Sequence, residues 1–566
     1  MKLRRNDEME LPFYATSDRQ KSFSLLRWWR SVPRLKRSVI LMILIFGFLI
    51  LAMMHYTAQT EEISIEDKRD FKEAIENQNE NFEKAQEPGN KEAIENQEPV
   101  LKEPRKNVLS QFKGPENDRQ RAVVRAFKHG WDGYKKYAWG HDQLKPISKG
   151  YSDWFDTSLT LIDGLDTAMI MGLHEEVADA TEYIRDMSFD KNRYVNFFEA
   201  TIRVLGGLLS AYHLSGDKMF LEKSQDIAER LSYSFKKSTT WIPLSDVNLQ
   251  SRDAKSPQWA AESSLSEITT VQLEFRDLSR VLNNSTYEDM AFTVSKKIHE
   301  IGCSRHEGLC DMYLDVKSGK FKSGTTITFG ARADSYYEYL FKQWIQTGKT
   351  IDWLREDYLE AMNAMEKFLL RKSQPHNYSF VGELLAGENY SPKMDHLTCF
   401  LAGTLAHGTE NGMPKSHLDI AKSLAQACHA MYENPTGLGP EIAYYNMLPG
   451  SKTDLYIKPL DAHCLLRPEA IEGWFYLYRI TKDPIYQEWG WAAFEAIEKH
   501  AKVANGYSSV HSVKKMPVGH RDLMESFFLA ETLKYLYLLF ADDQTILPLD
   551  KWVFNTEAHP LPIYAN

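Results

Sequence analysis

Only five of the 566 residues are cysteine, which excludes a disulfide-stapled scaffold. Glycine (30) and proline (22) are too sparse for a collagen-like or low-complexity chain. There is no basic surplus: the formal charge is -10, so general nucleic-acid binding is not expected. Several local signatures are also missing, namely HExxH, CxxC, the GxSxG elbow, a phosphate-binding glycine loop and an EF-hand loop. What remains is 43% hydrophobic and 26% charged, enough for a large core in several domains or in one barrel-type domain with tails.

Charge is unevenly spread. Residues 1–37 hold ten Lys/Arg against four Asp/Glu, a net +6. From Val39 to Met54 no side chain is polar. The stretch 38–56 would span about 28 Å as a helix, against roughly 30 Å for a bilayer core. The apolar run is longer than a signal-peptide core, and no small-x-small cleavage site follows it. A retained type II signal anchor is therefore expected, with 1–37 cytosolic and everything after Tyr56 lumenal. Residues 57–104 carry fourteen acids, six bases and only two aromatics, Phe71 and Phe82. Such a segment cannot bury enough apolar area to offset its entropy. KEAIENQ occurs there twice, at 72–78 and 91–97. A solvated lumenal stem over 57–118 is expected.

An oxidising lumen permits disulfides. Cys303, Cys310, Cys399, Cys428 and Cys464 leave at least one thiol unpaired, and spacing does not fix the pairing. Cys303 and Cys310 close a short loop and are able to pair. Asn283, Asn284 and Asn377 begin glycosylation sequons, and Asn389 begins one weakened by Pro392.

From about Arg119 the pattern is helical, as in Thr201–Leu214, Ser335–Gln346, Ala470–Ile480 and Ser526–Phe540, with apolar steps of three and four. Gly216 and Gly348 stand where left-handed helix caps favour glycine. Strand-like runs are short, around Thr325–Phe329 and Trp552–Thr556. Some 450 residues of helix pairs without a linker imply one helical array or closed helical barrel.

Acids recur where helices begin. Glu199 follows Asn196-Phe197-Phe198 and precedes Arg203 by four. Asp334 follows Arg332 by two. Glu469 follows Arg467-Pro468 and precedes Glu472 by three. Glu531 lies four after Phe527. Any one of these is explained by the helix dipole. Their recurrence, each with an Arg or aromatic beside it, suggests helix starts ringing one cavity. Glycoside hydrolysis needs such a kit: one carboxyl to protonate the leaving oxygen, and one carboxylate as base or nucleophile. Pro468, read as the first helical residue, places Glu469 beside free backbone N–H groups that favour its charged form, as a base requires. Phe197, Phe198 and Arg203 pull the charge of Glu199 in opposite directions, a balance the sequence leaves open.

Long blocks then carry a resemblance. They include AWGHDQLKPIS (138–148), LTLIDGLDT (159–167), NFFEATIRVLGGLLSAYHLSGD (196–217), QLEFRDLSR (272–280) and GARADSYYEYLFKQW (330–344). They continue with MDHLTCFLAGT (394–404), LLRPEAIE (465–472), ESFFLAETLKYLYLLF (525–540) and FNTEAHP (554–560). From 119 to 566 the chain resembles the class I α-1,2-mannosidases, glycoside hydrolase family 47. The resemblance implies an all-α fold, an (αα)7 barrel with a C-terminal β-hairpin plug. It also implies an inverting, Ca²⁺-dependent enzyme acting on N-linked high-mannose glycans. Matched by motif, Glu199 is the expected general acid, acting through a water, Asp334 the second acid candidate and Glu469 the base. Thr556 is the expected calcium ligand, with Glu472, Glu531 and Glu557 holding waters. Phe527 is expected to stack beneath the sugar, and Arg203, Glu267, Arg332, His396, Arg467 and Glu531 to bind substrate. His396 as a structural histidine and Glu267 as a helix cap are the plainer alternatives. Cys399 and Cys428 match the family's disulfide. Cys464 departs from the pattern and is expected to be a reduced, buried thiol.

Golgi-type members tend to carry a smaller apolar residue in place of Arg332. The chain resembles the endoplasmic-reticulum type, which implies removal of one middle-branch mannose from Man9GlcNAc2 to give the Man8 B isomer. Golgi-type trimming to Man5 and a non-catalytic glycan-binding degradation factor are the alternatives. Residence in the endoplasmic reticulum or early Golgi membrane is expected.

Overall fold

Two kinds of helix alternate along the chain. One buries a single stripe: Asp352–Phe368 buries Leu354, Tyr358, Ala361, Met362, Ala364 and Met365, in the steps of one helical face. The other is buried all round, as in Asp334–Gln346, where every residue from Ser335 onward is buried. The two kinds are satisfied together only when the second is enclosed by the first.

The structure, a computed structural model, describes residues 108–256, 262–303 and 306–564. Among these, fourteen helical segments alternate between an outer (odd) and an inner (even) position. The outer ones are α1 (Asp118–Tyr137), α3 (His174–Asp186), α5 (Lys218–Leu231), α7 (Thr286–Ile301), α9 (Asp352–Phe368), α11 (Ser416–Ala430) and α13 (Ile485–His500). The inner ones are α2 (159–170), α4 (197–215), α6 (265–282), α8 (Asp334–Gln346), α10 (396–410), α12 (Glu469–Thr481) and α14 (528–539). Each inner segment packs on the next, and α14 returns to α2, closing the cycle. Each outer helix lies against an inner one, with α1 on α14 completing the outer layer. The helical barrel expectation is met at this level. Gly216 ends α4 with φ 74°, its N–H bonded to Tyr212 O at 2.7 Å.

The fold is not purely α. Short strands form two- and three-stranded sheets, and several feed directly into inner helices. Tyr194–Asn196 enters α4, Glu262–Ser264 enters α6 and Lys393–Asp395 enters α10. Helical periodicity does not register three-residue strands. The run Thr325–Phe329 is not a strand; only Ile327 makes a bridge, to Leu384. The C-terminal hairpin pairs Trp552–Phe554 with Pro560–Pro562 and packs against α4, α6 and α8. Among the described residues no helix is long and apolar enough to cross a membrane. The expected tail, anchor and most of the stem (1–107) lie outside the described residues. The four sequon asparagines, Asn283, Asn284, Asn377 and Asn389, are at least partly exposed.

Cys399 and Cys428 are bonded, S–S 2.09 Å, joining the start of α10 to the end of α11. Cys303 and Cys310 also pair, and Cys464 is the buried free cysteine. Closing the 29-residue separation of Cys399 and Cys428 restricts the unfolded chain. Replacing both by serine should cost about 2–4 kcal/mol in urea unfolding. An unchanged unfolding midpoint would show that helix packing alone holds this pair.

Candidate active site

The inner helices run parallel, so their N-termini gather at one end of the barrel, where helix dipoles favour negative charge. Glu199, Asp334 and Glu469 stand in the first turns of α4, α8 and α12, and Glu267 in that of α6. A cavity of about 550 Å³ opens there. It is lined by Glu199, Arg203, Glu267, Arg332, Asp334, Arg467, Glu469, Phe527 and Glu531, with Thr556 and Glu557 from the hairpin turn. Residues far apart in the sequence thus share one space. On the seven-membered cycle α4 and α12 are three places apart, so Glu199 and Glu469 face one another across it.

Glu469 is the best-defined group. His396 Nδ1 lies 2.7 Å from its Oε2, and Arg467 Nη1 lies 3.9 Å from Oε1. Burial pushes the carboxyl up, but the His396 hydrogen bond and charge, with Arg467, outweigh it and hold Glu469 below its ordinary value. Pro468 precedes the helix as its N-cap rather than opening it, one position earlier than the sequence pattern implied. His396 does not line the cavity. It is 2% exposed, with its second nitrogen 2.8 Å from Tyr432 Oη, so it orients Glu469 from behind. Arg467 is pinned by Glu441, Nε to Oε2 2.6 Å.

Across the cavity, Asn196 caps α4 by accepting from Glu199 N at 3.0 Å. Arg203 Nε donates to Glu199 Oε2 at 2.8 Å, while its Nη1 reaches Glu557 and lies 3.6 Å from Asp163. Asp334 accepts from Ser335 N at 2.9 Å and Ser266 Oγ at 2.8 Å, yet burial dominates and pushes its carboxyl up to about 7. Glu267 is both cap and wall: it forms a capping box with Ser264 and accepts from Asn196 Nδ2 at 3.1 Å. Phe527 lies between Arg203 and Arg467, at 5.7 and 5.5 Å from its ring centre. Arg332 is exposed at the cavity in a left-handed conformation, φ 79°.

Two inner helices widen into π turns beside the cavity, Ala200–Leu205 and Phe528–Thr532. An inserted residue re-aims the side chains beyond it, a common device at functional sites. These turns carry Arg203 and Glu531.

The floor is crowded with oxygen. Glu338, Glu472, Glu531, Thr556 and Glu557 line it, and Thr556 Oγ1 donates to Glu338 Oε2 at 2.8 Å. Burial first, then neighbouring carboxylates, pushes Glu472 up to about 8 and Glu531 and Glu557 well above the usual range. Lys342 answers only part of this, bonding Glu338 and lying 3.8 Å from Glu472. Excess carboxylate with oxygen-only donors fits a hard divalent cation. Among the described residues no three His, Cys, Asp or Glu side chains converge as a direct chelate, so such a cation would meet most acids through water.

Reading the sequence missed Glu338, Lys342, Glu441, Tyr432 and Asp163. The first two had a signal: Asp334, Glu338 and Lys342 are spaced by four, along one helical face. The others reach the site from separate elements, and nothing local announces them.

The family model described as glycosyl hydrolase family 47 matches residues 126–563. The chain belongs to family 47. Among curated family members it is 51% identical over 456 residues to the rat endoplasmic reticulum mannosyl-oligosaccharide 1,2-alpha-mannosidase, covering 80% of this chain and 69% of that protein. Human mannosyl-oligosaccharide 1,2-alpha-mannosidase IB is 40% identical over 458 residues, covering 79% and 70%. The solved alpha-1,2-mannosidase from Trichoderma reesei superposes with TM-score 0.74 at 27% identity, covering 80% of this chain and 100% of that one.

Carboxyls pushed upward stabilise the fold while protonated, and that contribution is lost as pH rises through their folded values. For Asp334 and Glu472 those values are about 7 and about 8. The chelator-treated protein should therefore melt at lower temperature at pH 8 than at pH 6, and calcium should restore the loss. A calcium-independent melting temperature across that range would contradict the oxygen-rich floor as a cation site.

Proposed function

We propose that this family 47 enzyme is an inverting, Ca²⁺-dependent α-1,2-mannosidase of N-linked high-mannose glycans, converting Man9GlcNAc2 to the Man8 B isomer. The observation that carries it is the arrangement around Glu469. This carboxylate is held in its charged form by His396 and Arg467, directly across one cavity from Glu199. An inverting glycosidase needs roughly 6.5–9.5 Å between acid and base to admit the attacking water.

In this reading Glu469 takes the proton of the water that attacks the anomeric carbon. Glu199 returns a proton to the leaving oxygen through a second water, and Asp334, its carboxyl pushed up to about 7 by burial, is the second acid candidate. Phe527 supports the ring, while Arg203, Glu267, Arg467 and Glu531 hold its hydroxyls. The calcium ion, when bound by Thr556 and by waters on Glu472, Glu531 and Glu557, supplies coordination to sugar hydroxyls. Residues 38–56 anchor the chain in the endoplasmic reticulum or early Golgi membrane, with 1–37 cytosolic, 57–118 as stem and 119–566 lumenal and catalytic.

Glu469→Gln keeps the shape and removes the base. Mannose release should fall by about 10²–10⁴-fold. Release at the wild-type rate would exclude Glu469 as base.

Arg332 supports the single-cleavage specificity, since a guanidinium fork can grip several hydroxyls of one branch where an apolar side chain cannot. Soluble 110–566 given labelled Man9 should accumulate Man8, and Arg332→Leu should trim further. Rapid trimming to Man5 by the wild type would refute the single-cleavage reading in favour of Golgi-type processing.

A further inference from the structure

Beneath the cavity floor lies a second group of charges, none of which lines the cavity, although Asp163 approaches Arg203 Nη1 at 3.6 Å. Asp163 and Asp166 stand on α2, Lys534 on α14, and His559 ends the hairpin turn. All four are 0% exposed. His559 Nδ1 lies 2.8 Å from Asp166 Oδ2, and its Nε2 lies 3.1 Å from Asp163 Oδ1. Lys534 Nζ lies 2.8 Å from Asp166 Oδ1 and donates to Ala558 O at 2.7 Å. Ser210 Oγ adds a hydrogen bond to Asp166 at 2.8 Å.

The turn itself is tied by Asn555, whose Oδ1 accepts from Glu557 N at 2.9 Å and His559 N at 2.8 Å. It rests on Gly206 of α4, where a Cβ would come within 2.7 Å of Asn555 Nδ2 and 3.1 Å of the His559 ring. An apolar plug would close the barrel without any of this. Buried charges are costly and give mainly geometric definition, because each must meet its partner at one distance and angle. The residues defined here are the two that the turn presents to the cavity, Thr556 and Glu557.

We propose that Asp163, Asp166, Lys534 and His559 are positioning residues that clamp the turn 555–559 against α2 and α4, and thereby set the affinity of the calcium site at Thr556. The inference rests on the calcium reading above and adds to it the machinery that shapes the site. The clamp touches neither sugar nor ion. It acts on the turn through the His559 ring and the Ala558 carbonyl, and only Asp163 also approaches the sugar-binding set, at Arg203, so loosening it at His559 falls first on the turn that presents Thr556.

The test is calorimetric titration of chelator-stripped 110–566 with calcium chloride, at a temperature where circular dichroism shows each variant folded. His559→Gln should bind calcium at least tenfold more weakly than wild type, and its mannose release should recover at saturating calcium. Ser210→Ala, which removes one hydrogen bond from Asp166, should weaken binding two- to threefold. Gly206→Ala, which pushes on the turn without removing a charge, should weaken it too.

Arg479→Met is the control. Its guanidinium donates to Leu547 O and Ile546 O, at 2.9 and 2.6 Å, in the segment leading to the same hairpin. That variant should melt earlier with calcium affinity unchanged. If His559→Gln does not fold, Ser210→Ala and Gly206→Ala decide. Affinities equal to wild type in the folded variants overturn the clamp. A wild type that binds no calcium overturns clamp and calcium reading together. A wild type that binds calcium yet releases no mannose defeats the proposed reaction, while weakened variants would still uphold the clamp.

Discussion

Carboxylates crowded together away from water repel one another, and the organisation of this molecule comes from containing that repulsion. Glu338, Glu472, Glu531 and Glu557 share a floor with Glu469 and Asp334 close above. Parallel inner helices turn their positive ends toward the group, which lowers its cost without using a side chain. Arg203, Arg467 and Lys342 answer part of the remainder, each set among more than one carboxylate. The excess is what makes the floor suited to a divalent cation rather than to further lysines, which would fill the space a sugar requires.

The same constraint sorts the two walls. At Glu469, His396 and Arg467 favour the charged form, and Glu441 and Tyr432 stand behind them in support. At Asp334 two hydrogen bonds are outweighed by burial, so its carboxyl keeps its proton to higher pH. Groups of similar chemistry are thereby pushed toward different protonation states, which acid–base work across one cavity requires. The cavity of about 550 Å³ supplies the other requirement, room for a water as well as a sugar.

Much of this was legible in the residues. Helix starts carrying Glu199, Asp334 and Glu469 were visible because acid, aromatic and arginine recur there, and a first-turn acid has a fixed direction along its helix. The resemblance supplied what pattern could not: Thr556, and the pairing of Cys399 with Cys428, which the structure carries as a bond. Two readings shifted. His396 lies behind Glu469 rather than in the cavity, because its ring is held between that carboxylate and Tyr432. The fold carries short sheets, because the chain must straighten before several inner helices can begin at one level. The π turns at Arg203 and Glu531 were hidden, since these segments are buried nearly all round and carry no one-sided stripe that an inserted residue would visibly displace.

The sequence by itself determined the alternation of one-sided and wholly buried helices, the acids at their starts and the absence of any dedicated metal motif, because each of these is a property of neighbours along the chain. Only the tertiary structure decided which acids meet, which are forced to keep protons and what holds the hairpin turn. Asp163 and Asp166 lie hundreds of residues from their partners His559 and Lys534, and these meetings come from ring closure rather than from any local preference. Charge states in a buried cluster depend on distances between such strangers, and those distances exist only once the barrel has closed.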